Sequence, residues 1–357
     1  MKERGYMKII FLLPDMAGGG SEKVVSLLAN EYVGRGINVA IMMFAGNTVA
    51  YALDERVEVL SVAPASAGNM CVRLGRVRRM RAFFKKNTGA YIFSFSTMGT
   101  AFATMATWGM RRFILVSERN DPNYCPNAAW RDWAYKKADC LTFLTAEIRD
   151  YFPPNIREKG VVIPNPIDDT LPRRKNNPRE KTVVAVGRLE TQKNYPLLLA
   201  AFKAFCAEYP EYDLHIYGTG SLEAELKEMA GTLGIADGVV WHGFDPDVQE
   251  KIINSGMYVL SSDFEGISNA MIEALAMGIP TIATDSLGGG SRSYIKNGEN
   301  GLLVPVRDAE ALAGAMKRIA ADEALAKKLS DNAMKIRDKY SVSEIADRFL
   351  ECVEELT

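Results

Sequence analysis

Glu265 and Glu273 bracket the segment Glu265-Gly266-Ile267-Ser268-Asn269-Ala270-Met271-Ile272-Glu273, with seven residues between the two carboxylates. The apolar run Tyr258–Leu260 predicts a strand before this segment, and Gly278-Ile279-Pro280 predicts the end of a helix after it. Gly266, Ile267, Ser268 and Asn269 then fall in the strand-to-helix turn, where the N–H groups that open the helix suit phosphate oxygens. The carboxylates are acceptors for sugar hydroxyls, one on each side of that turn. A glutamate on a helix is ordinarily just solvated. Here, however, Ala270, Met271, Ile272, Ala274, Leu275, Ala276 and Met277 make the helix apolar nearly all round, as in a buried helix. Glu273 therefore needs a partner, either a ligand hydroxyl or a structural donor.

Two further clusters fit a phosphate-bearing ligand. The run Val183–Val186 leads into Gly187-Arg188 with Lys193 five residues on, two cations that could offset charge on a departing diphosphate. The run Ile9–Leu13 ends at Pro14 and leads to Gly18-Gly19-Gly20, after which Ser21 and Glu22 open a helix. Glycines there let backbone approach a ligand, while the helix dipole favours an anion. The bland alternatives are a tight turn and a solvated loop. Asp245-Pro246-Asp247 has a metal-diphosphate spacing, but it precedes a helical segment and reads as an Asp/Pro helix start.

The elements that must position these residues follow from period. Short apolar runs alternate with helical segments: Ile9–Leu13, Val39–Phe44, Val57–Val62, Tyr91–Phe95, Phe113–Val116, Leu141–Leu144 and Val161–Ile163. This is βαβ patterning for a parallel sheet. Pro164, Pro166, Pro172 and Pro178 interrupt it among charged residues, as in a linker. Alternation then resumes with Val183–Val186, Leu214–Tyr217, Val239–Trp241, Tyr258–Leu260 and Thr281–Ala283, and the chain ends in purely helical period with Ile345, Phe349 and Val353. A length of 357 residues suits two such domains. With 43 basic and 44 acidic residues the chain does not fit a nucleic-acid coat. Its five cysteines are scattered and read as reduced thiols. The apolar run near the N-terminus is too short for an export signal or a membrane span, so a cytoplasmic location is expected.

These residues together resemble the retaining family-4 glycosyltransferases of the GT-B fold. The resemblance spans nearly the whole chain: Gly18-Gly19-Gly20-Ser21-Glu22, Pro164-Asn165-Pro166-Ile167-Asp168, Gly187-Arg188-Leu189 with Lys193-Asn194, Ile216-Tyr217-Gly218-Thr219-Gly220, Glu265 to Glu273, and Gly301-Leu302-Leu303-Val304. It implies an α/β protein with two Rossmann-like domains facing a deep cleft: residues 1–165 for the acceptor, a linker 166–180, and 181–338 for the donor. A C-terminal helical segment, 339–357, is expected to return to the first domain. The resemblance further implies that Arg188 and Lys193 bind the donor diphosphate, with Glu265 on the transferred sugar and Glu273 on the ribose. Gly19, Gly20, Gly218 and the Gly266–Asn269 turn would approach the donor, and Phe244 would meet the base. No metal and no cofactor are expected besides the nucleotide sugar, read as a UDP-sugar. The acceptor would be a glycan or a polyprenyl-diphosphate-linked sugar in bacterial surface-polysaccharide or lipid-linked-oligosaccharide assembly.

One departure from the family concerns the first domain, where many relatives carry a histidine or acid near the reacting carbon. The histidines here, His215 and His242, belong to the second domain. The segment Ser117-Glu118-Arg119-Asn120-Asp121-Pro122 is expected to project from the carboxyl edge of the sheet, with Glu118, Arg119 and Asn120 as acceptor-side candidates or as a hydrogen-bonded turn. Between Arg73 and Lys86, seven cations occur without an acid, while Leu74, Val77, Met80 and Phe84 form an apolar stripe. Such a helix can pack on its sheet and also touch anionic lipid at the inner face of the cell membrane. The rival functions are a sugar-nucleotide epimerase or hydrolase of the same fold, which would consume donor without acceptor, and an inert membrane-associated scaffold, which would bind no UDP.

Overall fold

A computed structural model describes residues 7–63, 70–119, 122–125, 128–174 and 178–354. The chain divides into two compact units: unit 1 runs to Pro166 and takes in the segment from Val342, and unit 2 is Ile167–Ser341.

Unit 1 opens with β1 (Lys8–Leu13), α1 (Gly20–Gly34), β2 (Asn38–Met43) and β3 (Glu58–Ser61). There follow α2 (Met70–Lys86), β4 (Tyr91–Ser94), α3 (Thr97–Ala106), β5 (Phe113–Glu118) and α4 (Ala128–Lys137). It continues with β6 (Cys140–Phe143), α5 (Ala146–Tyr151), α6 (Pro154–Arg157) and β7 (Gly160–Val162). The seven strands pair in the order β3-β2-β1-β4-β5-β6-β7, all parallel. Ile9 to Leu13 are fully buried, because helices cover both faces of a parallel sheet.

Unit 2 repeats the design with β8 (Thr182–Val186), α7 (Tyr195–Cys206), β9 (Asp213–Tyr217), α8 (Glu223–Thr232) and β10 (Val239–Gly243). Next come α9 (Val248–Ile252), β11 (Met257–Leu260), α10 (Asn269–Met277), β12 (Thr281–Thr284), α11 (Gly290–Tyr294) and β13 (Leu302–Val304). The helices α12 (Ala309–Ala321), α13 (Glu323–Ala333) and α14 (Ile336–Lys339) close the unit. Its strand order is β10-β9-β8-β11-β12-β13, so direction reverses between β8 and β11. In open α/β sheets, ligands sit at the carboxyl ends of strands at such a reversal. The fold is that of two Rossmann-like domains. β13 lies inside the motif Gly301–Val304, whose three strand residues are too few to show a period.

The last helix, α15 (Val342–Glu354), belongs to the core of unit 1. Phe349 lies 6.0 Å from both Phe93 and Phe95, and the Tyr32 hydroxyl donates to the Ala346 carbonyl at 2.9 Å. Within unit 2, the proline-rich segment expected to be a linker is tied down over its first residues. Ile167 N–H donates to Tyr340 O at 2.7 Å, and the Arg337 guanidinium donates to the carbonyls of Asp169 and Leu171 and to Ala276 at the end of α10.

The expected apolar stripe of α2 is only half realised. Met80 and Phe84 are fully buried, but Leu74 is 65% exposed. Its cations also have internal work. Arg76 stacks on Phe102, Arg79 donates to Val62 O, and Arg81 donates to Ala106 O and Trp108 O.

Candidate active site

The loops after β8 and β11 meet beside the strand reversal of unit 2. Lys193, at the end of a short 3-10 turn, pairs with Glu265 at 2.5 Å, and both side chains are largely shielded from solvent. The Ser262 hydroxyl donates to the same Glu265 oxygen at 2.9 Å. The two loops are strapped together around this pair: Ser261 Oγ donates to Lys193 O, Asp263 N–H to Gln192 O, and Gln192 Nε2 to Phe264 O. Asn194 holds a left-handed φ of 45°, donates to Asp263, and accepts from Leu197 N–H to cap α7. Arg307 donates to the other Asp263 oxygen. Tyr195 closes the floor with its hydroxyl on Gly187 O at 3.0 Å. Burial and the charge of Glu265 push that phenol well above its ordinary pKa, so it stays a neutral donor.

Arg188 is exposed on the β8 loop. Nearby, Ser221 donates to Glu190 through both its N–H and its hydroxyl, which holds that carboxyl below the usual range. Glycines set the spacing of these loops. A Cβ on Gly218, whose φ is +133°, would overlap the Gly187 carbonyl, and one on Gly220 would overlap the Leu189 backbone. On the other side of the site, a Cβ on Gly290 would overlap the Gly266 carbonyl, and one on Gly288 that of Glu265. The run Gly288-Gly289-Gly290 escaped the sequence reading. The signal was present, for it follows the strand Thr281–Ala283 just as Gly18–Gly20 follows β1.

The α10 helix presents the expected turn. Ser268 is its N-cap and makes no side-chain cap bond, and the N-terminus of a helix carries the positive end of its dipole, which suits an anion. Met271 to Met277 are buried, as the apolar composition demands. Glu273 is buried among them, and Gln249 on α9 donates to its Oε2 at 2.8 Å. A structural donor thus exists, and Gln249 itself carried no sequence signal. Phe244, 70% exposed, follows Gly243 at the end of β10. Beside it, the His242 ring stacks on Tyr217 at 4.1 Å and meets His215 at 3.2 Å between ring nitrogens. Burial and then His215 lower the His242 pKa. Asp245 pairs with Lys251 and accepts from Asp247 N–H, a turn leading into α9. Among the described residues, no three His, Cys, Asp or Glu side chains group as ligands for a metal ion.

In unit 1, Gly18 has φ +119°, Gly19 is the N-cap of α1, and Gly20 is its first residue. The Tyr51 hydroxyl donates to Gly19 O at 3.0 Å, and the Glu22 carboxylate folds back against Gly19. The acceptor-side candidates are placed differently from expectation. Glu118 does not project from a loop: it is the last residue of β5, is buried, and accepts from the Tyr135 hydroxyl at 2.8 Å. Arg119 is buried too, donating to Asn165 and stacking over Phe95. The strand runs two residues further than the apolar pattern, through Ser117 and Glu118, and Arg119, just beyond its end, is buried as well. Asn120 and Asp121 lie outside the described residues. Four cysteines, Cys125, Cys140, Cys206 and Cys352, are free thiols.

Chemically, unit 2 gathers two cations, a helix N-terminus and two carboxylates at one sheet edge, a set able to hold anionic oxygens and hydroxyls together. Residues 18–171 match the family model "Glycosyltransferase Family 4", and residues 167–336 match "Glycosyl transferases group 1". An uncharacterized glycosyltransferase of Haemophilus influenzae is 23% identical over 98% of this chain and 99% of its own. An α-1,4-N-acetyl-D-galactosaminyltransferase of Campylobacter jejuni, named for a diNAcBac-PP-undecaprenol-linked acceptor, is 26% identical over 98% of this chain and 99% of its own. Among solved structures, Anabaena HepE in complex with UDP and glucose superposes with a TM-score of 0.86 at 19% identity, over 98% of this chain and 99% of that one. The chain belongs to the glycosyltransferases of the GT-B fold, with a family-4 domain followed by a group-1 domain.

Proposed function

We propose that the protein is a retaining, metal-independent transferase that moves a hexose or N-acetylhexosamine from a UDP-sugar to a glycan or lipid-linked acceptor. The observation that carries this reading is the Lys193–Glu265 pair set beside the α10 turn, with Glu273 one helical stretch further on. Arg188, Lys193 and the N–H groups of the Gly266–Asn269 turn hold the diphosphate and stabilise it as it leaves. Glu265 accepts from hydroxyls of the transferred sugar, and Glu273, oriented by Gln249, accepts from the ribose. Gly218 keeps the β9 loop low enough for a ligand to approach, and exposed Phe244 offers a face to the base.

In the reaction, the acceptor oxygen forms its bond to the anomeric carbon on the face from which the C–O bond to phosphate breaks. The hydroxyl proton passes to the leaving phosphate oxygen, and UDP departs. Acceptor recognition is assigned to unit 1. The Campylobacter relative, named for an undecaprenol-linked acceptor, and the Anabaena neighbour, bound to UDP and glucose, support the acceptor class and the donor class respectively.

Isothermal titration with UDP tests the donor site. Wild type binds, and Arg188→Ala and Glu273→Ala each weaken binding about tenfold or more. Absence of UDP binding, or binding untouched in both variants, overturns the reading. Nucleotide sugars are then screened by thermal stabilisation, and the best is offered with polyprenyl-diphosphate-linked acceptors. An NMR assignment of the new linkage with inverted configuration would exclude retention, and loss of transfer in EDTA would exclude metal independence.

A further inference from the structure

Unit 1 has a one-sided distribution of charge. No Asp or Glu lies between Glu58 and Glu118, a span holding nine Lys and Arg residues, although the chain as a whole has 44 acids in 357 residues. That span forms α2, β4, α3 and most of β5. The helices α2, α3 and α4 pack side by side, α3 touching both others. Each links strands that step from β3 toward β6, so right-handed crossovers place all three on one sheet face. α1 steps the opposite way and lies with α15 on the other face.

The α2–α3–α4 face displays large apolar groups to solvent. Trp108, in the turn after α3, is 71% exposed, and Trp130, at the start of α4, is 51% exposed. Met105, Ala129, Trp130 and Trp133 line an apolar hollow of about 470 Å³, with the two tryptophan rings edge to face at 5.8 Å. Arg81 joins α2 to this patch through its bonds to Ala106 O and Trp108 O, both 2.8 Å. Exposed cations lie on the same layer: Arg78, Lys85 and Lys86 on α2, Arg111 beyond Trp108, and Lys136 and Lys137 at the end of α4. The one acid of α4, Asp132, is paired with Arg131 at 2.9 Å.

We propose that this face docks on an anionic phospholipid bilayer, with Trp108, Trp130 and Trp133 at headgroup depth and the exposed cations on lipid phosphates. Tryptophan, with an apolar body and a polar N–H, favours that depth, and basic residues beside it favour anionic headgroups. The basic helix α2 is thus only part of the surface, since Arg76, Arg79 and Arg81 already hold rings and carbonyls inside unit 1. With a chain charge of −1, attraction depends on this local patch and not on the whole molecule. The proposal stands independently of the donor assignment.

Co-sedimentation of the full chain with vesicles tests it, using phosphatidylglycerol mixed with phosphatidylcholine against phosphatidylcholine alone. Binding is expected to be at least about tenfold stronger to the anionic vesicles and to fall away at about 0.5 M salt. Trp108→Ser/Trp130→Ser should lower it about tenfold or more, and Lys136→Glu/Lys137→Glu about fivefold for each charge removed, with circular dichroism and Tm unchanged. If the tryptophan variant does not fold, the charge variants on exposed positions carry the test. No preference for anionic vesicles, or full binding by the folded variants, overturns the proposal. So does a wild-type dimer in sedimentation velocity that the variants convert to monomer without any vesicle binding, since a second copy would then cover the face.

Discussion

The glycine turn after β1 and the glycine turns of unit 2 look alike in sequence, yet they are packed against different things. Around Gly18–Gly20, the nearest obstacle to a side chain at Gly19 is the Glu22 carboxylate, the far end of a flexible side chain, and Gly18 has only the Ala50 methyl at 4.0 Å. In unit 2, Gly218, Gly220, Gly288 and Gly290 each press on the backbone of a neighbouring loop. Backbone cannot step aside as a carboxylate can. Unit 2 therefore holds its cations and carboxylates in a frame fixed by main-chain contact, while the turn in unit 1 retains room to adjust.

Several substitutions break or sharpen that contrast. Gly218→Ala meets both the Gly187 carbonyl and a strained φ, and should cost about 3–5 kcal/mol in denaturant unfolding, with UDP binding lost. A cost under about 1 kcal/mol would dissolve the notion of a rigid frame. Lys193→Met leaves the Glu265 carboxylate shielded without its cation, at about 2–3 kcal/mol. Adding Glu265→Gln should recover part of this in a double-mutant cycle. Gln249→Leu removes one bond to Glu273 and should cost about 1 kcal/mol, raising the donor KM more than it lowers kcat. Gly19→Ala should stay within about 1 kcal/mol, because Glu22 can swing away.

The smallest effect concerns pH. Folding lowers the pKa of His242 from its ordinary 6.5, so as pH falls the unfolded chain takes up that proton first and stability declines. His242→Phe should accordingly flatten the fall in Tm between about pH 7.5 and pH 5.5. An unchanged slope would remove the histidine pair from the account.

Much of the fold was legible because its strands are buried on both faces and so appear as unbroken apolar runs, Ile9–Leu13 and Tyr258–Leu260 among them. Strand ends were less legible. The polar residues Ser117 and Glu118 extend β5, since hydrogen bonds donated by Thr142 and Tyr135 compensate for their burial, and period cannot register such a contact. At the site, Glu273 could be singled out as a charge in an apolar helix, and Glu265, Arg188 and Lys193 by their places just after apolar strand runs. Gln249 and Asp263 could not, because their importance lies in partners 24 and 69 residues away along the chain.

By itself, then, the sequence determined the two parallel-sheet units, the buried α10 helix and the need of Glu273 for a partner. These follow from local period and from the cost of burying a charge. Only the tertiary structure decided that Lys193 neutralises Glu265, that Gly288–Gly290 carries the Glu265–Ile267 turn, and that Glu118 and Arg119 belong to the core. Each of these is a meeting of residues far apart in the chain, whose energy depends on distance in space and on the water excluded around them.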